Sequence, residues 1–154
     1  MVRTGRTGAR GGRDVGIKGK RGRVNIAKNL ATISVDAHLI QQALGALLSN
    51  AAGHARNDQP IEVNAARDDS MLVISVADHG PGLAPGEENK VFEKFYRGPG
   101  TAPGGLGLGL SIARQLVEAH SGEIVAQNRE EGGARFSIRL PIGEPMRLPS
   151  EATA

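Results

Sequence analysis

Apolar residues recur with a helical period between residues 37 and 54. They stand three and four positions apart, which places them on one face of a helix, at Leu39, Ile40, Ala43, Leu44, Leu47, Leu48 and Ala51. Asp36 immediately precedes this run and is a suitable N-cap, and the helix is expected to fray between Gly53 and Asn57. One face of this long helix is therefore expected to pack on a sheet.

Strand patterns flank this helix on both sides. After it, the segments 61–66 and 71–77 are separated by a turn at Asp68-Asp69-Ser70 and predict a hairpin. Before it, Val24–Ile26 and Ile33–Val35 alternate between apolar and polar residues and predict two short strand segments.

A long loop and a second helix follow. Residues 79–108 are rich in Gly and Pro and hold one short helical piece, from about Glu87 to Phe95. A loop of this length inside a compact domain is usually a lid or a binding loop. The pattern over 109–120 predicts a helix that ends at a glycine stop, Ser121-Gly122.

Two further strands, Glu123–Asn128 and Ala134–Leu140, complete the predicted elements. The order of helices and strands predicts an α/β two-layer sandwich, in which a mixed, largely antiparallel sheet has helices on one face. At 154 residues with 39% apolar residues, the chain is long enough for one domain with a substantial core.

The charge is unevenly distributed along the chain. Residues 1–23 hold eight basic residues and one acid, a net +7, whereas the remainder holds 11 basic and 15 acidic residues, a net −4. With seven glycines and few large apolar side chains, residues 1–23 are predicted to be a disordered tail without a specific nucleic-acid partner. A basic arm for nucleic acid or an anionic membrane is the alternative. The folded domain is predicted over 24–143, and residues 144–154 are predicted to be a second tail.

Composition excludes several classes of protein. The chain has no cysteine, and its four histidines stand singly, without metal-ligand spacing, at His38, His54, His79 and His120. No apolar run approaches the ~20 residues of a membrane helix, and the N-terminus lacks the apolar core of a secretory signal. A cytoplasmic location is expected, with a membrane reached only through other parts of a larger protein.

Two glycine-bearing stretches indicate a nucleotide site. Asp78-His79-Gly80-Pro81-Gly82 ends an apolar strand with a carboxylate and a tight turn, and Gly104-Gly105-Leu106-Gly107-Leu108-Gly109-Leu110 opens directly into the second helix. A carboxylate at a strand end can bind a base, and unhindered backbone N–H groups at a helix N-terminus hold phosphates. In this order, the two stretches point to ATP.

These stretches and two further motifs resemble the catalytic, ATP-binding domain of sensor histidine kinases, which belongs to a family shared with gyrase, Hsp90 and MutL ATPases. The resemblance runs from about Val24 to Pro141. The N box of that family corresponds to residues 46–54, where Asn50 matches the asparagine that ligates Mg²⁺ and His54 closes the motif at the ATP site. The resemblance thus implies ATP and Mg²⁺ as cofactors, and an amide oxygen is a ligand of the kind Mg²⁺ takes.

The G1 and G2 boxes supply the walls of the implied ATP site. In the G1 box, Asp78 accepts a hydrogen bond from the adenine 6-amino group, and Gly80 and Gly82 let the backbone approach the ring. His79 fills a variable position and is expected to be exposed and not catalytic. In the G2 box, backbone N–H groups face the triphosphate, and the residues assigned to ATP there are Gly105, Gly107, Leu108 and Gly109.

The F box corresponds to residues 91–98, Val-Phe-Glu-Lys-Phe-Tyr-Arg-Gly. Phe92 and Phe95 are expected to pin a short helix against the lid, to link the lid to a partner domain, or to do both. Phe95 and Arg97 are assigned to the ATP site. Arg97 would partly replace the cation that the family usually has in the N box, at the position where this chain has Gly53. Further along, His120 is expected to be structural.

Three positions of the N box depart from the family pattern. Ala46 stands where the family often has an asparagine, Ser49 where it often has an acid or Gln, and Gly53 where it usually has Lys or Arg. Loss of the cation at Gly53 is expected to weaken phosphate binding and neutralisation of the transition state.

The resemblance implies a Mg·ATP-binding domain that donates the γ-phosphoryl group to a histidine on a separate dimerisation domain, with a response regulator as a further partner. None of the four histidines is followed by Glu or Asp, as the family's acceptor is, so the acceptor histidine is expected to be absent from this chain. The segment from Phe92 to Gly98 is similar to the corresponding segment of the potassium-sensing branch of sensor histidine kinases. Two alternatives are a stand-alone ATP-binding regulator, like the anti-sigma kinases, and a non-catalytic ATP-binding module.

Overall fold

The computed structural model describes residues 12–28, 30, 35–55, 58–94, 96 and 109–142. The elements, in chain order, are β1 (Arg13–Ile17), β2 (Lys20–Ile26), α1 (Ala37–His54), β3 (Ile61–Asp68), β4 (Met71–Ala77), α2 (Glu87–Lys90), α3 (Gly109–Ala119), β5 (Glu123–Asn128) and β6 (Ala134–Pro141).

The strands form one six-stranded sheet in the order β1-β2-β3-β4-β6-β5. β2 and β3 run parallel and are joined through α1, because a parallel pair needs a long crossover connection. The other neighbouring strands pair antiparallel. The predicted mixed, largely antiparallel sheet is confirmed.

The core lies between one face of this sheet and the helices α1 and α3. The buried residues of α1 are Ile40, Ala43, Leu47 and Ala51, which confirms the predicted helix face. They share one apolar cluster with Ala113 and Val117 of α3 and with inward-facing strand residues such as Ile61, Ile138 and Leu140. Full burial of a Leu or Ile side chain contributes about 1.5–3 kcal/mol, so this layer is the main stabilising contact of the domain.

A side-chain cap begins α1 and ties it to the end of α3. The Asp36 carboxylate accepts a hydrogen bond from the Leu39 N–H at 3.2 Å, as the sequence predicts. The Asp36 N–H in turn donates to Nε2 of His120 at 3.1 Å, and the other ring nitrogen of His120 lies 2.8 Å from the Leu116 carbonyl oxygen. His120 therefore has the structural role expected of it.

Two helix ends differ in detail from the predictions. At the end of α3, the left-handed residue is Ser121, with φ 62°, and not Gly122. Gly122 is required for another reason, because a Cβ there would lie 2.4 Å from the Arg139 carbonyl oxygen. The helix predicted from Glu87 to Phe95 ends at Lys90, and the backbone then turns through bonds three residues apart, such as Phe92 N–H to Asn89 O at 3.2 Å.

The N-terminal prediction is wrong from Arg13 onward. Residues 13–23, predicted to belong to a disordered tail, form a hairpin together with the predicted strand segment Val24–Ile26, so the sheet begins before the predicted boundary at residue 24. Lys18 and Gly19, with φ 51° and 83°, make the two-residue turn that suits a hairpin. Ile17 is buried, and its side chain lies 2.3 Å from where a Cβ of Gly22 would be, so a glycine-rich composition here makes room for packing.

Several predicted features lie outside the described residues. These are the first part of the predicted tail, residues 1–11, two residues of the predicted segment at 33–35, and the predicted tail at 144–154. Among the described residues, no helix has the length and apolarity needed to cross a bilayer.

Candidate nucleotide site

Asp78 is a buried carboxylate at the end of β4. Its side chain is held in place because Oδ1 accepts hydrogen bonds from the backbone N–H groups of Gly80, at 2.8 Å, and Ala134, at 3.2 Å. The residue is 2% exposed. Both of these bonds fall on Oδ1, and among the described residues no hydrogen bond to the second carboxylate oxygen is seen, so that oxygen could accept from a ligand.

One face of α1 passes beside this carboxylate. A Cβ at Gly80 would lie 2.3 Å from the carbonyl oxygen of His54, so the turn after Asp78 is in direct contact with the end of α1. At the other end of this face, Gly109, the first residue of α3, lies beside Ala46, with 3.9 Å between the Cβ of Ala46 and the position of a Gly109 Cβ.

Asn50 stands between these two contacts. Residues four positions apart share a helix face, so Ala46, Asn50 and His54 form one row along α1. Along α1, the half-buried Asn50 therefore lies between the contact with the loop after Asp78 and the contact with the first turn of α3. This brings together the predicted N box, the G1 box and the start of the helix that follows the G2 box.

The glycines of the G1 box are required by packing within the protein. Gly80 is excluded from having a Cβ by the His54 carbonyl, as above. Gly82 has φ 80°, and a Cβ there would lie 2.7 Å from Oδ1 of Asn128. The Asn128 amide pairs with both backbone groups of Leu83, accepting from its N–H at 2.6 Å and donating to its carbonyl oxygen at 3.0 Å. The loop after Asp78 is thus fixed on one side by α1 and on the other by the end of β5.

His79 was predicted to be exposed, but its side chain is largely covered. Its side chain is 20% exposed, and its Nε2 lies 3.0 Å from a carboxylate oxygen of Glu62 on the neighbouring strand β3. Nδ1 lies 2.9 Å from Nη1 of Arg129. Because arginine only donates, Nδ1 accepts and Nε2–H donates to Glu62. The alternation of β3 places Glu62 directly beside the end of β4, which is why the histidine is covered.

Arg129 is the residue at this site that the motifs do not reveal. Its side chain is 6% exposed, and its guanidinium donates to the carbonyl oxygens of Asp78, at 3.0 Å, and Gly132, at 3.1 Å. The contact with Asp78 spans 51 positions of sequence, so no local pattern predicts it. The only signal is an arginine at the turn between two strands, next to a pair of glycines.

Phe92 of the F box packs in the core. Its ring meets Phe136 of β6 edge to face, with 6.0 Å between ring centroids, and Arg114 of α3 lies over the ring at 5.6 Å. Phe92 is therefore a packing residue of the core, and its expected role against the lid stays a prediction, because Phe95 and residues 97–108 lie outside the described residues. Phe92 also joins the segment after α2 to the helix at whose first turn the phosphates are expected.

The Glu87 carboxylate links two parts of the segment that leads into the F box. Its carboxylate accepts a hydrogen bond from the Ala84 N–H at 2.6 Å and another from the hydroxyl of Tyr96. The Tyr96 hydroxyl, followed by the Ala84 N–H, holds the pKa of the Glu87 carboxyl below its ordinary value. The same hydrogen bond raises the pKa of Tyr96, because the neutral phenol is the donor.

The remaining predicted ligands of ATP are Phe95, Arg97, Gly105, Gly107 and Leu108, and they lie outside the described residues. Their assignment stays a prediction. Of the predicted set, the structure brings together Asn50, His54, Asp78, Gly80, Gly82 and Gly109.

The donor set fits ATP with Mg²⁺. A buried carboxylate with one engaged oxygen suits an adenine amino group, and the first turn of an 11-residue helix presents N–H groups suited to phosphate. Within the described ranges there is no group of three or more His, Cys, Asp or Glu side chains that would hold a metal by itself. A single amide such as Asn50 is consistent with Mg²⁺, which is usually held largely by substrate phosphates and water.

The fold and this arrangement are those of an ATP-binding domain of the two-layer α/β class. Residues 35–144 match the family of histidine kinase-, DNA gyrase B- and HSP90-like ATPases, and the chain belongs to this family. The resemblance predicted from the motifs is confirmed.

Curated relatives are sensor kinases. The chain is 42% identical over 119 residues to the sensor protein KdpD of Escherichia coli, which covers 77% of this chain and 13% of KdpD. It is also 42% identical over 111 residues to the histidine-protein kinase AfsQ2 of Streptomyces coelicolor, covering 70% of this chain and 21% of AfsQ2. Because these identities are equal, the assignment to the potassium-sensing branch stays a prediction.

Solved structures agree with the sequence relatives. The mycobacterial sensor histidine kinase MprB superposes with a TM-score of 0.68 at 29% identity, over 80% of this chain and 81% of that one. Full-length ShkA in complex with AMPPNP superposes with a TM-score of 0.65 at 29% identity, over 80% of this chain and 27% of ShkA. The chain is thus an ATP-binding catalytic domain of the sensor histidine kinase type, and the stand-alone regulator is not favoured.

Proposed function

We propose that this domain binds Mg·ATP between Asp78, α1 and the first turn of α3, and donates the γ-phosphoryl group to a histidine on a separate dimerisation domain. The phosphohistidine would then serve a response regulator. The observation that supports this most strongly is the buried Asp78 carboxylate, with one oxygen engaged by two backbone N–H groups and the other without a hydrogen bond from the part of the chain that the structure describes.

Each group of the site has a distinct task in this proposal. Asp78 selects adenine, because a 6-oxo purine presents an acceptor where the carboxylate needs a donor. The Asn50 amide oxygen would hold Mg²⁺, which when bound neutralises phosphate charge. The first N–H groups of α3 face the phosphates with the positive end of the helix dipole. Phosphoryl transfer requires positioning and charge neutralisation more than covalent chemistry by the protein, so these tasks suffice for the donor side.

The setting of the reaction follows from the relatives. The chain spans 13% and 21% of the length of KdpD and AfsQ2, so the acceptor histidine and the response regulator are proposed as partners on other parts of a kinase or on other chains. Because ATP is the phosphoryl donor, we place the domain in the cytoplasm, with any membrane attachment made by those other parts.

Nucleotide binding is tested by calorimetry on the chain with and without Mg²⁺. Asp78→Asn is expected to weaken ATP binding about 10- to 100-fold, since a hydrogen bond to a charged group contributes about 1.5–3 kcal/mol. Asp69→Asn makes the same chemical change in an exposed turn and is expected to leave the affinity unchanged. Full ATP affinity in Asp78→Asn would refute the site.

The metal ligand and the transfer step need separate measurements. Asn50→Ala is expected to remove the Mg²⁺-dependent part of the affinity while sparing metal-free binding, and Gln42→Ala on the exposed side of α1 is the control. Transfer of labelled phosphate from ATP to a supplied dimerisation domain with its acceptor histidine tests catalysis. Binding without any transfer would reduce the function to nucleotide binding alone.

A further inference from the structure

Arg129 is buried at a place where its neighbours are exposed. It lies in the β5–β6 turn, residues 129–133, between Asn128 and Glu130, both of which are exposed. Its own side chain is only 6% exposed, and its Nε–H is buried without a hydrogen-bond partner among the described residues. Burying a guanidinium costs free energy unless its contacts offset the loss of hydration, so the contacts of Arg129 need an explanation.

One of these contacts is made to Asp78, the residue proposed to select adenine, and another to the neighbouring His79. Nη1 donates to the main-chain carbonyl of Asp78 at 3.0 Å and to that of Gly132 at 3.1 Å. The Asp78 N–H bonds to the Ala134 carbonyl at 2.9 Å, and the Ala134 N–H bonds back to the Asp78 carboxylate. Arg129 therefore engages the one main-chain group of Asp78 that β6 leaves free.

The guanidinium is itself oriented by two carboxylates. Nη2 lies 3.6 Å from Glu62 and 3.5 Å from Glu131, and the Glu62 carboxylate also binds His79. One planar group thus joins the end of β4, the β5–β6 turn and the start of β3. A lysine has a single ammonium group on a flexible stem and makes fewer of these contacts at once.

We propose that Arg129 is a positioning residue for adenine selection. By fixing the peptide that follows Asp78, it fixes the direction of the carboxylate, and through it the preference for a 6-amino over a 6-oxo purine. This inference rests on the proposed function of Asp78. It assigns no contact between Arg129 and the nucleotide.

The test measures the affinities for ATP and GTP of the whole chain, with Mg²⁺, for Arg129→Met and Arg129→Lys. We expect Arg129→Met to bind ATP about tenfold more weakly, with GTP nearly unchanged, so that the preference for ATP falls by about the same factor. Arg129→Lys should recover part of that preference. Arg139→Met removes an arginine from β6 that pairs with Asp68 and Glu123, and should keep the wild-type preference.

A double variant separates positioning from general loosening. If Arg129 acts through Asp78, Asp78→Asn with Arg129→Met loses little more ATP affinity than Asp78→Asn alone. Thermal unfolding with circular dichroism establishes the folded fraction, and if Arg129→Met does not fold, the smaller loss of ATP preference expected for Arg129→Lys is tested in the same double-variant comparison.

The outcomes distinguish this inference from the function on which it rests. Unchanged ATP binding in Asp78→Asn would remove the proposed site itself. A loss in Asp78→Asn together with a wild-type ATP-to-GTP ratio in folded Arg129 variants would overturn only the positioning role. Equal losses of ATP and GTP affinity, or full additivity in the double variant, would also overturn it.

Discussion

Gly53, the second-last residue of α1, is an open position at the end of the helix that meets the loop after Asp78. A Cβ at Gly53 would have no atom of the described residues within 4 Å of it, although the family usually has a cation there. The described structure therefore has room for a side chain at position 53, and packing does not require glycine there. His54, the next residue, is already in contact with the loop after Asp78.

Gly53→Lys is accordingly expected to strengthen Mg·ATP binding about threefold, the effect of a partly exposed charge contact with phosphate. It should also stabilise the domain by up to about 1 kcal/mol, because glycine is a poor helix former. Gly53→Ala is the matched control, since it supplies the helix propensity without the charge. Calorimetry and urea unfolding measure the two effects, and equal ATP affinities in the two variants would contradict the phosphate contact.

Glu87 and Tyr96 give the loop segment a pH dependence of a definite sign. The pKa of the Glu87 carboxyl is lowered in the folded protein, so its contribution to stability is present above its unfolded pKa and is lost as the pH falls through the folded value. The pKa of Tyr96 is raised, so its contribution is present below its unfolded pKa and is lost as the pH rises through the folded value.

We therefore expect Glu87→Gln to be less stable than the wild type near neutral pH, with the difference shrinking as the pH falls below about 4.3. Tyr96→Phe should likewise be less stable near neutral pH, and its difference should shrink above about pH 10. Urea unfolding over these ranges measures both. A difference that is independent of pH in both variants would show that the hydrogen bond between them contributes nothing.

At the scale of elements, the end of β4 and the β5–β6 turn form one unit. Gly133 and Gly132 both have positive φ, at 86° and 104°. A Cβ at Gly133 would lie 2.0 Å from the Asp78 carbonyl oxygen, whereas a Cβ at Gly132 would have no described atom within 4 Å. At both positions a side chain would be strained by the left-handed backbone, but only at Gly133 would it also meet another atom. The two glycines are therefore a matched pair for substitution.

Gly132→Ala is expected to cost roughly 1–2 kcal/mol for its left-handed backbone alone. Gly133→Ala should cost a further 1–3 kcal/mol or so, because the Cβ would force the turn away from Asp78. ATP affinity should fall in Gly133→Ala and be retained in Gly132→Ala. Unfolding and calorimetry on both variants check this, and indistinguishable ATP affinities would mean that the turn does not position Asp78.

For the whole molecule, sequence patterns correctly predicted the features that depend on residues close together in the sequence. The spacing of apolar residues such as Ile40 and Leu47 predicted the buried face of α1, and the strand that ends at Asp78 was also predicted correctly, whereas base binding by Asp78 stays a prediction. Arg129 and the cover over His79 were missed, because both arise from strands that meet across the sheet, far apart in sequence. The exact end of α2 was missed because the backbone changes its hydrogen-bond spacing within one turn.

The N-terminal hairpin was missed for a different physical reason. Composition measures how much apolar surface a segment can bury by itself, and residues 13–26 bury theirs only by extending an existing sheet. β2 pairs with β3 over Gly22–Ile26, so the hairpin is ordered by the rest of the domain. Ile17 belongs to the core cluster, and Val15 on the same strand packs against that cluster.

A chain that begins at Val24, the boundary suggested by composition, therefore lacks part of the folded domain. It loses β1, the Gly22 and Arg23 pairings with β3, and the buried Ile17. We therefore expect its free energy of unfolding to fall by at least about 2 kcal/mol relative to a chain that begins at Gly12.

Ile17→Ala should reproduce a large share of this loss, because it removes the buried side chain alone. Ile26→Ala is the control, since Ile26 is 66% exposed on the same hairpin and should change stability by less than about 0.5 kcal/mol. Equal urea midpoints for the two chain lengths would mean that the hairpin adds nothing to the stability of the sheet, and a loss on truncation without one in Ile17→Ala would assign the effect to strand pairing alone.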